Sequence, residues 1–151
     1  MYKNQRRKQE MGFRLKVDGP EVIDLGIDHI ISVKLDVETP EDCNARSTDL
    51  GVGLVITGKI LTALDGEAAD SSLNIAKWSV VPAEDATCYR NLTVDVVNAS
   101  QVVRKFSLPN AFVIAYNEEF GNTEGIGEFT LKVRQKKDKT DRVIMAGGFG
   151  L

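Results

Sequence analysis

Apolar and polar residues alternate with a period of two in three stretches of this chain. Phe13, Leu15 and Val17 interleave with Arg14 and Lys16, and Ile31, Val33, Leu35 and Val37 with Ser32, Lys34, Asp36 and Glu38. Phe129, Leu131 and Val133 interleave with Glu128, Thr130, Lys132 and Arg134. Successive side chains of a strand point to opposite faces, so each stretch predicts a strand with one buried and one wet face. Three together predict an antiparallel sheet. Less regular apolar runs predict further strands at 22–27, 51–61, 92–97 and 102–108. The run 111–116 is apolar on both faces, which predicts a strand covered twice, by a helix or by another subunit.

Turn chemistry separates these runs. Asp18-Gly19-Pro20, Asp65-Gly66 and Asn98-Ala99-Ser100 are short connections of hairpin type, and Gly121 to Gly125 form a looser loop. Seven or eight strands at this spacing predict a mainly β domain, an antiparallel barrel or sandwich. Leu73, Ile75, Ala76 and Trp78 follow Asp70 and Ser71, either of which can cap a helix, and Pro82 stands beyond as a stop. The same residues also alternate as a strand. One short α-helix, packed over a mouth or face of the barrel, is the expectation adopted. The stretch 39–50 has no periodicity and many turn formers, and so long a loop in a compact domain is often functional.

Length and charge narrow the function. The 151 residues make one domain, expected as a basic arm over 1–11, a β-domain over 12–136 and a tail over 137–151. No apolar run approaches the roughly 18 residues of a membrane span. No apolar stretch follows the basic first ten residues either, so neither membrane insertion nor a secretory signal is expected. Two cysteines cannot make a disulfide scaffold, and a reducing compartment is expected. The net charge of −3 is laid out in blocks: +5 over 1–17, −12 over 18–128 and +4 over 129–151. Nucleic-acid arms fit this poorly, because the basic runs lack interleaved aromatics and the body repels phosphate. Solvated tails, or contacts between the basic ends and the acidic body of a neighbouring copy, fit better.

No constellation of catalytic residues emerges. The single histidine, His29, opens an alternating strand, where a structural imidazole is the commoner arrangement. Cys43 has only Arg46 nearby to lower its pKa, and Cys88 reads as a small strand-entry residue. The carboxylate pairs Glu41-Asp42, Glu84-Asp85 and Glu118-Glu119 lack the spacing of a calcium loop. The glycines match neither a dinucleotide fingerprint nor a Walker lysine motif. The expectation is a protein without catalytic residues, metal or cofactor.

From Leu92 onward the order of motifs is distinctive. A strand Leu92-Thr93-Val94-Asp95-Val96-Val97 precedes one with Val103-Arg104-Lys105-Phe106. Leu108-Pro109-Asn110-Ala111-Phe112-Val113 follows, then the bend Tyr116-Asn117-Glu118-Glu119-Phe120 and a final alternating strand from Gly127 to Arg134. This resembles the tube proteins of phage tails, type VI secretion (the haemolysin-coregulated protein) and phage-tail-like particles. The resemblance implies a structural subunit, six copies forming a ring and rings stacking into a hollow tube. It implies partners in a sheath, a baseplate or spike, and cargo or DNA in the lumen. It further implies assembly in a bacterial cytoplasm before incorporation into a virion tail or exported particle. Under it, Thr39, Pro40, Glu41, Asp42, Cys43, Asn44 and Arg46 are expected to reach the next ring. Arg14, Lys16, Ser32, Lys34, Thr130, Lys132 and Arg134 are expected on a lumen or outer surface. The rival expectation is a non-catalytic β-barrel module binding a sugar or small ligand.

Overall fold

A computed structural model describes residues 11–40, 50–61, 71–122 and 125–151. The strands are β1 (Gly12–Asp18), β2 (Ile23–Leu25), β3 (Ile30–Glu38), β4 (Gly51–Ile60), β5 (Arg90–Asn98), β6 (Gln101–Phe120), β7 (Gly127–Gln135), β8 (Ile144–Ala146) and β9 (Phe149–Gly150). One α-helix, α1 (Ser72–Ser79), lies between β4 and β5. All pairings are antiparallel, in the order β2-β1-β5-β6-β7-β4-β3, with β8 and β9 also on β6. The expected antiparallel β architecture with one short helix is what forms. The sheet does not close into a barrel within one chain, because β1 and β3 touch without pairing.

The two strands expected at 102–108 and 111–116 are one strand of 20 residues. Pro109 cannot donate to a ladder and reads as a break, but strands tolerate proline at a bulge. The register of β5 on β6 shifts there, from Leu92↔Leu108 to Arg90↔Ala111. The buried Gln135 satisfies the irregular backbone: its Oε1 accepts from the Asn110 N–H at 3.1 Å, and its Nε2 donates to the Lys139 carbonyl at 2.8 Å. β2 is shorter than expected, because Gly26 takes the following chain into a turn in which the His29 and Ile30 N–H groups both donate to its carbonyl.

At Ala111, β6 pairs with Arg90 of β5 on one edge and Gln135 of β7 on the other. The strand therefore belongs to two half-sheets. Its first half joins β5, β1 and β2, with β8 and β9 on the opposite edge. Its second half joins β7, β4 and β3. Both wrap one core that includes Leu15, Val17, Leu54, Ile56, Leu92, Val94, Leu108, Phe129, Leu131 and Val133.

Helix α1 closes this core with Ile75 and Trp78, both buried. The Trp78 indole N–H donates to the Cys88 carbonyl at 2.9 Å. Over the indole lies the Arg90 guanidinium, 5.4 Å from the ring centroid, which also donates through Nε to the Thr87 carbonyl and reaches Glu21 at 3.4 Å. Trp78→Phe keeps most of the packing but deprives a buried carbonyl of its donor. The expected loss is about 1–3 kcal/mol, measured as a lower urea midpoint at unchanged slope.

Candidate assembly interface

Among the described residues the half-sheet β6-β7-β4-β3 has two edges without a strand partner. Beyond Ala111 the β5-facing edge of β6 has no strand partner among the described residues, and the outer edge of β3 has none along Ile30–Glu38. Three antiparallel steps separate β6 from β3, so the two edge strands run in opposite directions. A neighbouring copy's β6 laid on β3 would therefore continue the antiparallel alternation.

Apolar residues on these edges are incompletely covered. On β3, Ile31 is 44% and Val37 45% exposed, while Val33 and Leu35 pack against the core only in part. On β6, Ile114 is 40% exposed. Among the described residues the run 111–116 is covered fully on one face only: Ala111 is buried, Val113 and Tyr116 pack on the core, Phe112 is half-buried against Tyr89, and Ile114 and Ala115 are exposed.

The other face of this half-sheet is polar. Cross-strand neighbours give the rows Ser32-Thr57-Thr130, Lys34-Val55-Lys132 and Asp36-Gly53-Arg134. A fourth row is Lys59-Glu128-Glu119. Lys34 also pairs with Asp36 along its own strand at 3.6 Å. The expected set Ser32, Lys34, Thr130, Lys132 and Arg134 therefore shares one surface. Arg14 and Lys16 do not join it: they lie on β1 in the other half-sheet, opposite Asp95 and Thr93 of β5. Local alternation is the same in both places, and only the long-range pairing separates them.

Of the expected loop residues, Thr39 and Pro40 follow β3 directly, and Glu41, Asp42, Cys43, Asn44 and Arg46 lie outside the described residues. Thr39 and Pro40 line a cleft of about 700 Å³ where β3 ends, β4 begins and β7 ends. At the opposite end of the half-sheet the β6–β7 connection carries Phe120, 65% exposed, and Ile126, 39% exposed. Neither was singled out from the sequence as an interface residue. The available signal was an aromatic at the end of an acidic bend flanked by glycines, a place where a solvated turn needs no ring.

Groups with perturbed acidity lie elsewhere. The Thr87 backbone N–H and hydroxyl donate to the Asp85 carboxylate and hold its pKa below the usual value, and burial raises that of the Cys88 thiol. Among the described residues no group of three or more histidine, cysteine, aspartate or glutamate side chains could hold a metal, and no helix is long and apolar enough to cross a membrane.

No protein-family model matches the chain, and no curated protein matches it. Solved structures do. A chain in the extended-state sheath/tube terminator of the PVC extracellular contractile injection system is 14% identical, with a TM-score of 0.54 over 97% of this chain and 98% of that one. A chain of the anti-feeding prophage baseplate is 16% identical, with a TM-score of 0.52 over 90% and 93%. Hcp1 from Flavobacterium johnsoniae is 15% identical, with a TM-score of 0.51 over 91% and 99%. The chain shares its fold with these three chains. Identities this low speak to fold, and function has to be argued from the surfaces. The surfaces left unfinished by the single chain are therefore the ones to weigh. Here these are the β3 and β6 edges.

Proposed function

We propose that this protein is the structural subunit of a tube in a contractile injection machine, without catalytic activity. The observation that carries the reading is the pair of free edges on one half-sheet, opposed in direction and flanked by half-covered apolar residues. Exposed strand edges are templates for pairing, and closure removes them. Head-to-tail pairing of β3 with the next copy's β6 repeats until the ring closes, here with six copies. The core and α1 then lie outside the inner sheet. Ser32, Lys34, Thr130, Lys132 and Arg134 face the lumen, and Arg14 and Lys16 lie on the outer half-sheet. Thr39 and Pro40 stand at one end of the inner sheet, and contact with the next ring is assigned to them and to Glu41, Asp42, Cys43, Asn44 and Arg46. Sheath, baseplate or spike, and a cargo or DNA in the lumen, are the partners such a tube requires. Assembly takes place in the bacterial cytoplasm, and the product is a tail or an exported particle.

Light scattering on the purified protein, with negative-stain images of the same peak, tests this. The expected species has about six times the 16.6 kDa chain mass, or consists of rings and tubes. A 16.6 kDa monomer at every concentration would overturn the reading.

A further inference from the structure

The inner half-sheet ends differently at its two extremities. At one end, the β6–β7 connection projects Phe120 and Ile126 beside Glu119 and Glu128. These two glutamates are direct cross-strand partners, and Lys59, opposite Glu128, is the one cation in their row. Like charges placed directly opposite destabilise a sheet. At the other end the cleft of about 700 Å³ is lined by Pro40, Leu50 and Phe112, with Arg134, Lys137 and Glu38 at its sides. One end thus offers apolar side chains framed by negative charge. The other offers a hollow of mixed lining, with Pro40, Leu50 and Phe112 as apolar contacts and two cations against one carboxylate.

We propose that Phe120 and Ile126 of one copy seat in the cleft lined by Pro40, Leu50 and Phe112 of a copy in the next ring, with Arg134 answering Glu119 and Glu128. The occupant is a second copy of this chain, and the inference rests on the tube reading above. A tip cannot fill its own cleft. Phe112 and Phe120 sit on one continuous strand about eight residues, or roughly 26 Å, apart. A patch and its complement at opposite ends of a rigid element make a heterologous contact, which propagates in one direction without closing. Stacking then has a defined polarity, set by charge as well as shape.

Reciprocal charge reversal in the full-length protein tests this. Glu128→Lys and Arg134→Glu, each alone, are expected to raise the protein concentration needed for tube growth by about tenfold or more at low salt, with rings intact. The two reversals combined in one chain restore the complementary pair, and the threshold returns to within about threefold of the parent. Glu128→Gln and Arg134→Gln, which introduce no new charge, serve as second variants should a reversal fail to fold. Phe120→Ser is expected to give rings that do not stack at any salt concentration. Tubes at the parental threshold in either single reversal overturn the contact and leave the ring reading standing. So does loss of the rings themselves in a folded variant, or a combined variant no better than the singles. A parent protein that forms neither rings nor tubes overturns both.

Discussion

Phe129→Ala is expected to lose about 3–5 kcal/mol of stability, a large share of the roughly 5–15 kcal/mol available to a domain. Phe129 is fully buried on β7, packs against the tilted ring of Tyr116 at 6.2 Å between centroids, and stands opposite Gly58 of β4. Its ring occupies the space a side chain at position 58 would need. A Cβ built on Gly58 would lie 2.5 Å from the Phe129 Cζ and 2.9 Å from the His29 carbonyl oxygen. The buried ring has no free volume to yield, and a clash with backbone cannot be relieved by a rotamer change. Gly58→Ala alone therefore costs about 1–3 kcal/mol in the parent chain. In the Phe129→Ala background the ring clash is gone and only the contact with the His29 carbonyl remains, so the second substitution costs about 1 kcal/mol less than in the parent. Urea unfolding of the four chains in the cycle measures this directly. Additivity across the cycle would show that the ring does not dictate the glycine.

The same pair illustrates what the sequence carried and what it did not. The alternation of Phe129, Leu131 and Val133 with charged neighbours made β7 legible, because the period-two pattern is local and strong. That Gly58 lies beneath Phe129 was not legible, since it depends on the β4–β7 register across some seventy residues. The separation expected between 102–108 and 111–116 had a similar origin. Proline does interrupt a ladder, but here the interruption coincides with the change of partner from β5 to β7, so the strand passes through it. Ile31 and Val37 look in the sequence like any core-facing residues of an alternating strand. Edge position leaves Val37 half-exposed, and at Ile31 the register shift between Ile30 and Ser32 adds to it, with Ile30 taking the buried place. Lys16 and Lys34 occupy equivalent places in their local patterns, yet topology sends them to different half-sheets. The candidate interface was therefore legible as residue types on polar faces and illegible as a surface.

Replacing Ile31 and Val37 together by lysine is expected to leave a folded 16.6 kDa monomer under conditions in which the parent chain forms rings. Both side chains are already nearly half-exposed, so in the single chain two lysines can extend into water from the strand's margin. The stability of the monomer should change by about 1 kcal/mol or less. In the proposed ring the same positions are covered by the β6 of the next copy. Each lysine must then give up hydration beside apolar groups such as Ile114, at an effective cost of several kcal/mol per ion. Lysines on an edge strand are a device by which natural sheets prevent edge-to-edge pairing. The heterologous contact repeats around the ring, so the penalty applies at every junction, and closure fails as a whole rather than at one interface. Light scattering gives the mass, and thermal unfolding shows that the fold survives. Arg14→Ala with Lys16→Ala, on the half-sheet assigned to the outside, should leave ring formation unchanged and separates an edge effect from a general change in surface charge. Rings formed by the Ile31→Lys, Val37→Lys chain at the parental concentration would show that β3 is not the junction. The β6 edge beyond Ala111, which has no strand partner among the described residues, would then have to pair with something other than β3.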